Sequence, residues 1–424
     1  MNDNIATPFA KPLYVMLKPA GAHCNLACKY CYYLEKNHLY QNTPRHLMSD
    51  EMLEQFTREY IEAQTMPQVL FTWHGGEPLM RSIDFYKKAL ELQKKYAHGK
   101  QIDNVIQTNG TLLTDEWCEF FAQNHFLVGI SIDGPQEYHD HYRQTSAGKP
   151  SWEKVMHGIH LLKKHRVEWN AMAVVNAYNA EHPLEFYHFF RDNGCQYLQF
   201  TPIVERLTEH EDGRTLASLA DVSHEDNYED VGNAKKQKEN QEITIADFSV
   251  TPEQWGKFLC TIFDDWVRHD VGKIFVEIFD CTLANWVGVQ PGICAYSKEC
   301  GHAGVMEHNG DVFSCDHFVF PEYKLGNIQD KSLIDMLYGE KQQAFSRLKH
   351  TSLPRQCKEC DMEFACHGEC PKNRFENDKY GEPGLNYLCK GYYEYYTHVA
   401  PYMDFMKREL QAQRPPANIM NVLK

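Results

Sequence analysis

Short β-branched and aromatic runs alternate with longer amphipathic stretches over the first half of the chain. The runs at 13–18, 69–73, 105–108, 127–132, 169–175 and 197–201 read as strands, because brief apolar segments rich in Val, Ile, Phe, Trp and Tyr are bounded by polar or turn residues. Between them, 50–63, 84–96 and 152–165 repeat apolar positions at the spacing of one helix face. Strand followed by helix, six times over, predicts an α/β protein with a parallel sheet curled as a partial (β/α)6 barrel of the TIM type. In parallel barrels the chemistry sits at the carboxyl ends of the strands. A cysteine-rich loop follows the first strand, Gly75-Gly76-Glu77-Pro78 the second, Thr108-Asn109-Gly110 the third and Ser131-Ile132-Asp133-Gly134 the fourth. Four loops are therefore expected to converge on one face.

The pattern changes at 205–250, where charged, weakly periodic sequence includes Glu209-His210-Glu211-Asp212 and Lys235-Lys236-Gln237-Lys238. Such composition predicts an exposed insertion, ordered in part at best. Helical periodicity resumes at 251–269 around Phe258, Phe263 and Trp266, an aromatic stripe that reads as core. The expected organisation is a barrel over 1–235, a helical connector over 236–290 and a cysteine-bearing domain over 291–424.

Composition narrows the partners. The chain has 424 residues, 43% of them hydrophobic, enough for a large core and a smaller second domain. A formal net charge of −15 argues against a nucleic-acid surface, which needs clustered Lys and Arg. No apolar run approaches the roughly 20 residues of a membrane span, and no signal-peptide pattern opens the sequence, so a cytoplasmic protein without membrane partners is expected. Fifteen cysteines in that compartment read as metal ligands rather than disulfides.

Cys24, Cys28 and Cys31 stand in a C-x3-C-x2-C loop that supplies one thiolate fewer than a closed cubane cluster takes. The open metal position invites a chelating ligand. This spacing, with Tyr30 just before the third cysteine, resembles the radical S-adenosylmethionine (SAM) superfamily. The resemblance implies that the open iron takes the amino and carboxylate groups of SAM, and that one electron cleaves the sulfonium to a 5′-deoxyadenosyl radical. It also implies that Gly75, Gly76 and Glu77 contact the methionyl amino group, and that Ser131 and Arg143 hold the ribose or carboxylate. A guanidinium fork suits a carboxylate because it binds in bidentate fashion. Without the resemblance, the same residues read as a turn and a surface ion-pair arginine.

Eight further cysteines lie in the second half: Cys294, Cys300, Cys315, Cys357, Cys360, Cys366, Cys370 and Cys389. The segment C-x2-C-x5-C-x3-C with a distant fifth cysteine resembles the SPASM extension, which holds auxiliary [4Fe-4S] clusters. By that resemblance Cys294, Cys300, Cys315 and Cys370 take one cluster and Cys357, Cys360, Cys366 and Cys389 the other, giving three [4Fe-4S] clusters in all. Two structural zinc sites are the competing reading, since C-x2-C alone cannot separate zinc from iron and sulfide. Cys118, Cys195, Cys260 and Cys281 have no partners at motif spacing and read as small buried hydrophobes.

The opening 10–16 (A-K-P-L-Y-V-M), the run 28–36 (C-K-Y-C-Y-Y-L-E-K), the segment 72–78, Gln107-Thr108-Asn109-Gly110-Thr111 and the later cysteine spacing together resemble the anaerobic sulfatase-maturating enzymes. That resemblance implies oxidation of a Cys or Ser side chain in a sulfatase polypeptide to Cα-formylglycine, with electrons from a reducing protein such as flavodoxin or ferredoxin. It implies that Asp316, directly after a cluster ligand, deprotonates the target side chain, and Tyr33 is expected in the peptide pocket. Two alternatives remain at this stage. One is a SPASM maturase that makes a thioether or carbon–carbon crosslink in a precursor peptide. The other is a non-catalytic iron–sulfur electron carrier.

Overall fold

The computed structural model describes residues 12–33, 36, 39–40, 47–210, 213–216 and 243–423. Six parallel strands form the expected barrel wall: β1 (Tyr14–Lys18), β2 (Gln68–Trp73), β3 (Gln101–Thr108), β4 (Leu127–Ser131), β5 (Trp169–Val175) and β6 (Tyr197–Pro202). Each pairs in parallel with the next. Their inward and outward apolar residues build the main core, from Val15 and Leu17 through Phe71, Trp73, Ile106, Val128, Ile130 and Ala173.

Helices cover the outer face where periodicity places them, at Asp50–Ala63, Ile83–Tyr96 and Trp152–Lys164. Ser49 caps the first by accepting from the Met52 amide, and Asp50 and Glu51 favour its positive end. One strand starts four residues before its expected position. β3 begins at Gln101 because buried Asn104, which interrupts the apolar run, finds partners: it accepts from Trp73 Nε1 at 2.8 Å and exchanges hydrogen bonds with Gln93. A buried amide satisfied in this way costs little.

The ends of the segment after β6 differ from the expected exposed insertion. Its described residues form a three-stranded antiparallel sheet of β7 (Arg206–His210), β8 (Gly213–Leu216) and β9 (Ile243–Ile245). Glu205, Arg206, Ala246, Ser249 and Val250 are buried. Their charges are partnered: Glu205 forms an ion pair with Lys372, and Arg206 stacks over the Phe375 ring at 4.3 Å. Residues 211–212 and 235–238 of the charged runs lie outside the described residues.

Helix Pro252–His269 opens with a capping box between Thr251 and Gln254, then buries Trp255, Phe258, Phe263 and Trp266 as its periodicity predicts. The C-terminal helix Cys389–Gln411 crosses it closely. Gly256 faces Gly391, and a Cβ on Gly391 would lie 2.1 Å from the Pro252 carbonyl oxygen, so only glycine permits this approach.

What positions the chemistry is the continuation of the sheet. After the two-residue β10 (Phe275–Val276) beside β6, the chain returns to the opposite edge. There β11 (Ala303–Glu307) runs parallel to β1 with Lys18 opposite Glu307, and β12 (Asp311–Phe313) and β13 (Lys324–Asn327) follow antiparallel. One ten-stranded sheet thus crosses the expected barrel boundary. Asp316, just beyond β12, is delivered to the carboxyl end of β1. No described helix is long and apolar enough to cross a membrane.

Candidate active site

The loop carrying Cys24, Cys28 and Cys31 lies over the carboxyl ends of β1 to β4 and is bracketed by the loops beside it. The Ala27 and Lys29 amides donate to the carbonyls of Gln144 and Tyr142. Asn109 donates to Asn25 Oδ1 at 2.9 Å and lies 3.7 Å from Cys24 Sγ. Asn25 in turn donates to Thr111 at 2.8 Å. The three thiols sense one another electrostatically, and burial pushes Cys24 and Cys28 up to about 12. Thiols that lie together and ionise reluctantly in apolar surroundings become good ligands once a cationic centre is present.

Gly75 and Gly76 do their work against this loop. The Gly76 amide donates to the Gly21 carbonyl and the Glu77 amide to the His23 carbonyl, at 2.8 and 2.9 Å. A Cβ on Gly76 would sit 2.2 Å from the His23 oxygen. Glu77 is fully buried and accepts from Leu79 N, Thr108 Oγ1 and Asn109 N at 2.7–2.9 Å, with burial raising its pKa to about 7. It ties the second loop to the third, and through Asn109 to Cys24. Replacing it with alanine leaves buried donors unmatched at about 1–3 kcal/mol each. Glu77→Ala is therefore expected to lower iron loading by up to about four of about twelve atoms, with the auxiliary clusters retained, as read by iron and sulfide analysis.

Arg143 is buried and paired within the protein. Its Nη2 donates to Asp133 Oδ1 at 3.0 Å and its Nε lies 2.8 Å from Asp133 Oδ2, so that edge of the fork is already committed. Asp133 also accepts from the Tyr30 hydroxyl and from the Val174 amide at 2.9 Å. Tyr30, the aromatic residue of the cysteine motif, is thereby locked in place, packed edge-on to Tyr142 and Phe248. Ser131 ends β4 and accepts from Gln107 at 3.0 Å.

A buried polar cluster stands where β1, β2 and the segment after β12 meet. Lys18 is wholly buried, forms an ion pair with Asp316 and lies 3.3 Å over the Tyr33 ring. Tyr32 donates to Asp316 Oδ2 at 2.5 Å. Burial alone would raise the Asp316 pKa, but Lys18, His74 and His317 outweigh it and hold the carboxyl well below the usual range. Tyr33 is buried, donates to Glu307 and supports Lys18. Those partners, rather than an open wall, are its surroundings. Lys18, Asp133, Tyr32 and His74 were not singled out in the sequence. The one signal for Lys18 is a lone cation closing an apolar strand.

The eight later thiols gather into two sets. Cys315 is surrounded by Cys294, Cys370 and Cys300. Cys366 senses Cys389 and Cys357, and Cys389 senses Cys357 and Cys360. These last four line one cavity of about 820 Å³. Among the described residues no three His, Cys, Asp or Glu side chains converge as a single ion would need. Four cysteines around one cavity of this size have room for a polynuclear cluster held by four thiolates. Cys118, Cys195 and Cys281 are buried and Cys260 partly so, apart from these sets.

Comparison with known proteins gives the class first. The model of the radical SAM superfamily matches residues 19–190, and that of an iron–sulfur cluster-binding domain, SPASM, matches 299–361. A serine-type anaerobic sulfatase-maturating enzyme of Bacteroides thetaiotaomicron is 67% identical over 424 residues, covering 100% of this chain and 98% of that protein. A cysteine-type enzyme of Clostridium perfringens is 30% identical, covering 92% and 97%. A solved structure described as native anSMEcpe with bound AdoMet superposes with a TM-score of 0.78 at 29% identity, covering 94% of this chain and 100% of that one. The chain belongs to the anaerobic sulfatase-maturating enzymes, radical SAM oxidoreductases that convert a sulfatase side chain to formylglycine. The crosslinking maturase and the non-catalytic carrier are set aside by this membership.

Proposed function

We propose that this enzyme oxidises a serine of a sulfatase polypeptide, with Asp316 as acceptor of the hydroxyl proton. The Lys18–Asp316 ion pair carries this reading: it seats the carboxylate that directly follows cluster ligand Cys315 against the carboxyl end of β1, next to the loops that would hold SAM. Cys24, Cys28 and Cys31 would bind the SAM cluster, and the two later sets the auxiliary clusters. When bound, these groups supply removal of a hydrogen atom from the target Cβ and accept the second electron. Lys18 and Tyr32 fix the Asp316 carboxylate and keep it ionised, ready to accept a proton. The Asp133–Arg143–Tyr30 cluster and Glu77 hold the cysteine loop rigid, so that the bound groups meet the peptide in one geometry.

Serine as target is supported by the 67% identity to the serine-type enzyme. A low-potential reducing protein of the flavodoxin or ferredoxin kind would supply electrons in the cytoplasm, and a barrel, a connector and a cluster domain would divide the work. The test is a competition between two otherwise identical sulfatase peptides bearing Ser or Cys, incubated anaerobically with SAM and reductant. Faster aldehyde formation from the serine peptide is expected. A clear preference for the cysteine peptide overturns the serine assignment.

A further inference from the structure

We propose that His74 selects serine over cysteine by donating a hydrogen bond from Nε2–H to the side-chain oxygen of the target residue. This rests on the reading of Asp316 as the proton acceptor, because it places the target oxygen beside that carboxylate.

His74 directly follows β2, and its amide donates to the Leu17 carbonyl at 2.7 Å, which fixes it beside the carboxyl end of β1. Its Nδ1 accepts the Gly75 amide at 2.8 Å. A ring nitrogen that accepts carries no proton, so in the neutral imidazole the proton sits on Nε2. Burial and then the Lys18 cation lower its pKa to about 4, which keeps the ring neutral. The tautomer is therefore set by the fold.

Nothing among the described residues accepts from Nε2, and the residue is not fully enclosed, so this donor is left for a group that enters the site. His74 and Asp316 lie close enough to bias each other's charge, with Lys18 common to both. A donor and a carboxylate that both reach the target atom would complement a hydroxyl, which donates its proton and accepts at its lone pairs. A thiol matches poorly, since its sulfur is a weak acceptor. As the hydroxyl proton leaves toward Asp316, negative charge grows on oxygen and the bond from Nε2–H strengthens, the situation in which a fixed donor contributes most.

The experiment compares wild type with His74→Ala on the paired Ser and Cys peptides, with iron and sulfide content measured in each preparation. The serine-to-cysteine ratio of kcat/KM is expected to fall by about 10- to 10³-fold; where the cysteine peptide is not turned over, its inhibition constant replaces its kcat/KM. His74→Phe, which keeps a ring without the donor, carries the same ratio test if the alanine variant loads iron poorly. An unchanged ratio, whether through parallel loss on both peptides or no loss on either, overturns the proposal. Asp316→Asn run alongside separates the two readings. Full product formation in that variant removes the premise, whereas its failure together with an unchanged ratio in the His74 variants refutes the His74 proposal alone.

Discussion

Asp316→Asn is expected to cleave SAM to 5′-deoxyadenosine yet lose formylglycine formation by about 10²- to 10⁴-fold, the usual reach of a general base. Asparagine preserves the shape and can still accept from Tyr32, which donates to Asp316 Oδ2 in the native protein. It cannot take up the hydroxyl proton. The same change strips Lys18, which is wholly buried, of its counter-ion. An unpaired buried charge is costly, about 3–5 kcal/mol, so iron content and unfolding must be followed beside activity. Deoxyadenosine and aldehyde measured in one fully loaded preparation distinguish the cases. Loss of both together would mean a damaged site rather than a missing base.

The second large effect concerns the cysteine loop. Replacing Cys24, Cys28 and Cys31 together by Ala is expected to abolish SAM cleavage and to remove about four of about twelve irons. The eight later thiols lie in separate sets and keep their irons. Reductive cleavage at the wild-type rate in that variant would place the radical chemistry elsewhere.

Much of this was legible in the sequence, for reasons that differ by residue. Strands β1 to β6 follow from apolar runs whose period is local, and the helix Asp50–Ala63 lies where its apolar face predicts. The cysteine loop was legible because three thiols in eight residues have few other uses. The partners of those residues were not. Lys18 meets Asp316 only because β11 adds beside β1, a pairing between distant segments with no local signature. Arg143 offers a free fork in the sequence, but the turn after β4 brings Asp133 against it. The start of the charged insertion misled for the same reason. Composition counts Glu205 and Arg206 as solvated, while Lys372 and Phe375, far downstream, let them be buried. The backbone neighbours of the two glycines before Glu77, the Gly21 carbonyl for Gly75 and His23 for Gly76, were not legible either, because they come from another loop.

The most direct test of the account is mass spectrometry of a serine-bearing sulfatase peptide after anaerobic incubation with the reconstituted enzyme, SAM and reductant. Loss of two hydrogens at that serine, reactivity of the product toward an aldehyde reagent, and formation of deoxyadenosine in step with it are expected. A peptide returned unchanged, or one carrying an internal crosslink with no aldehyde, would contradict it.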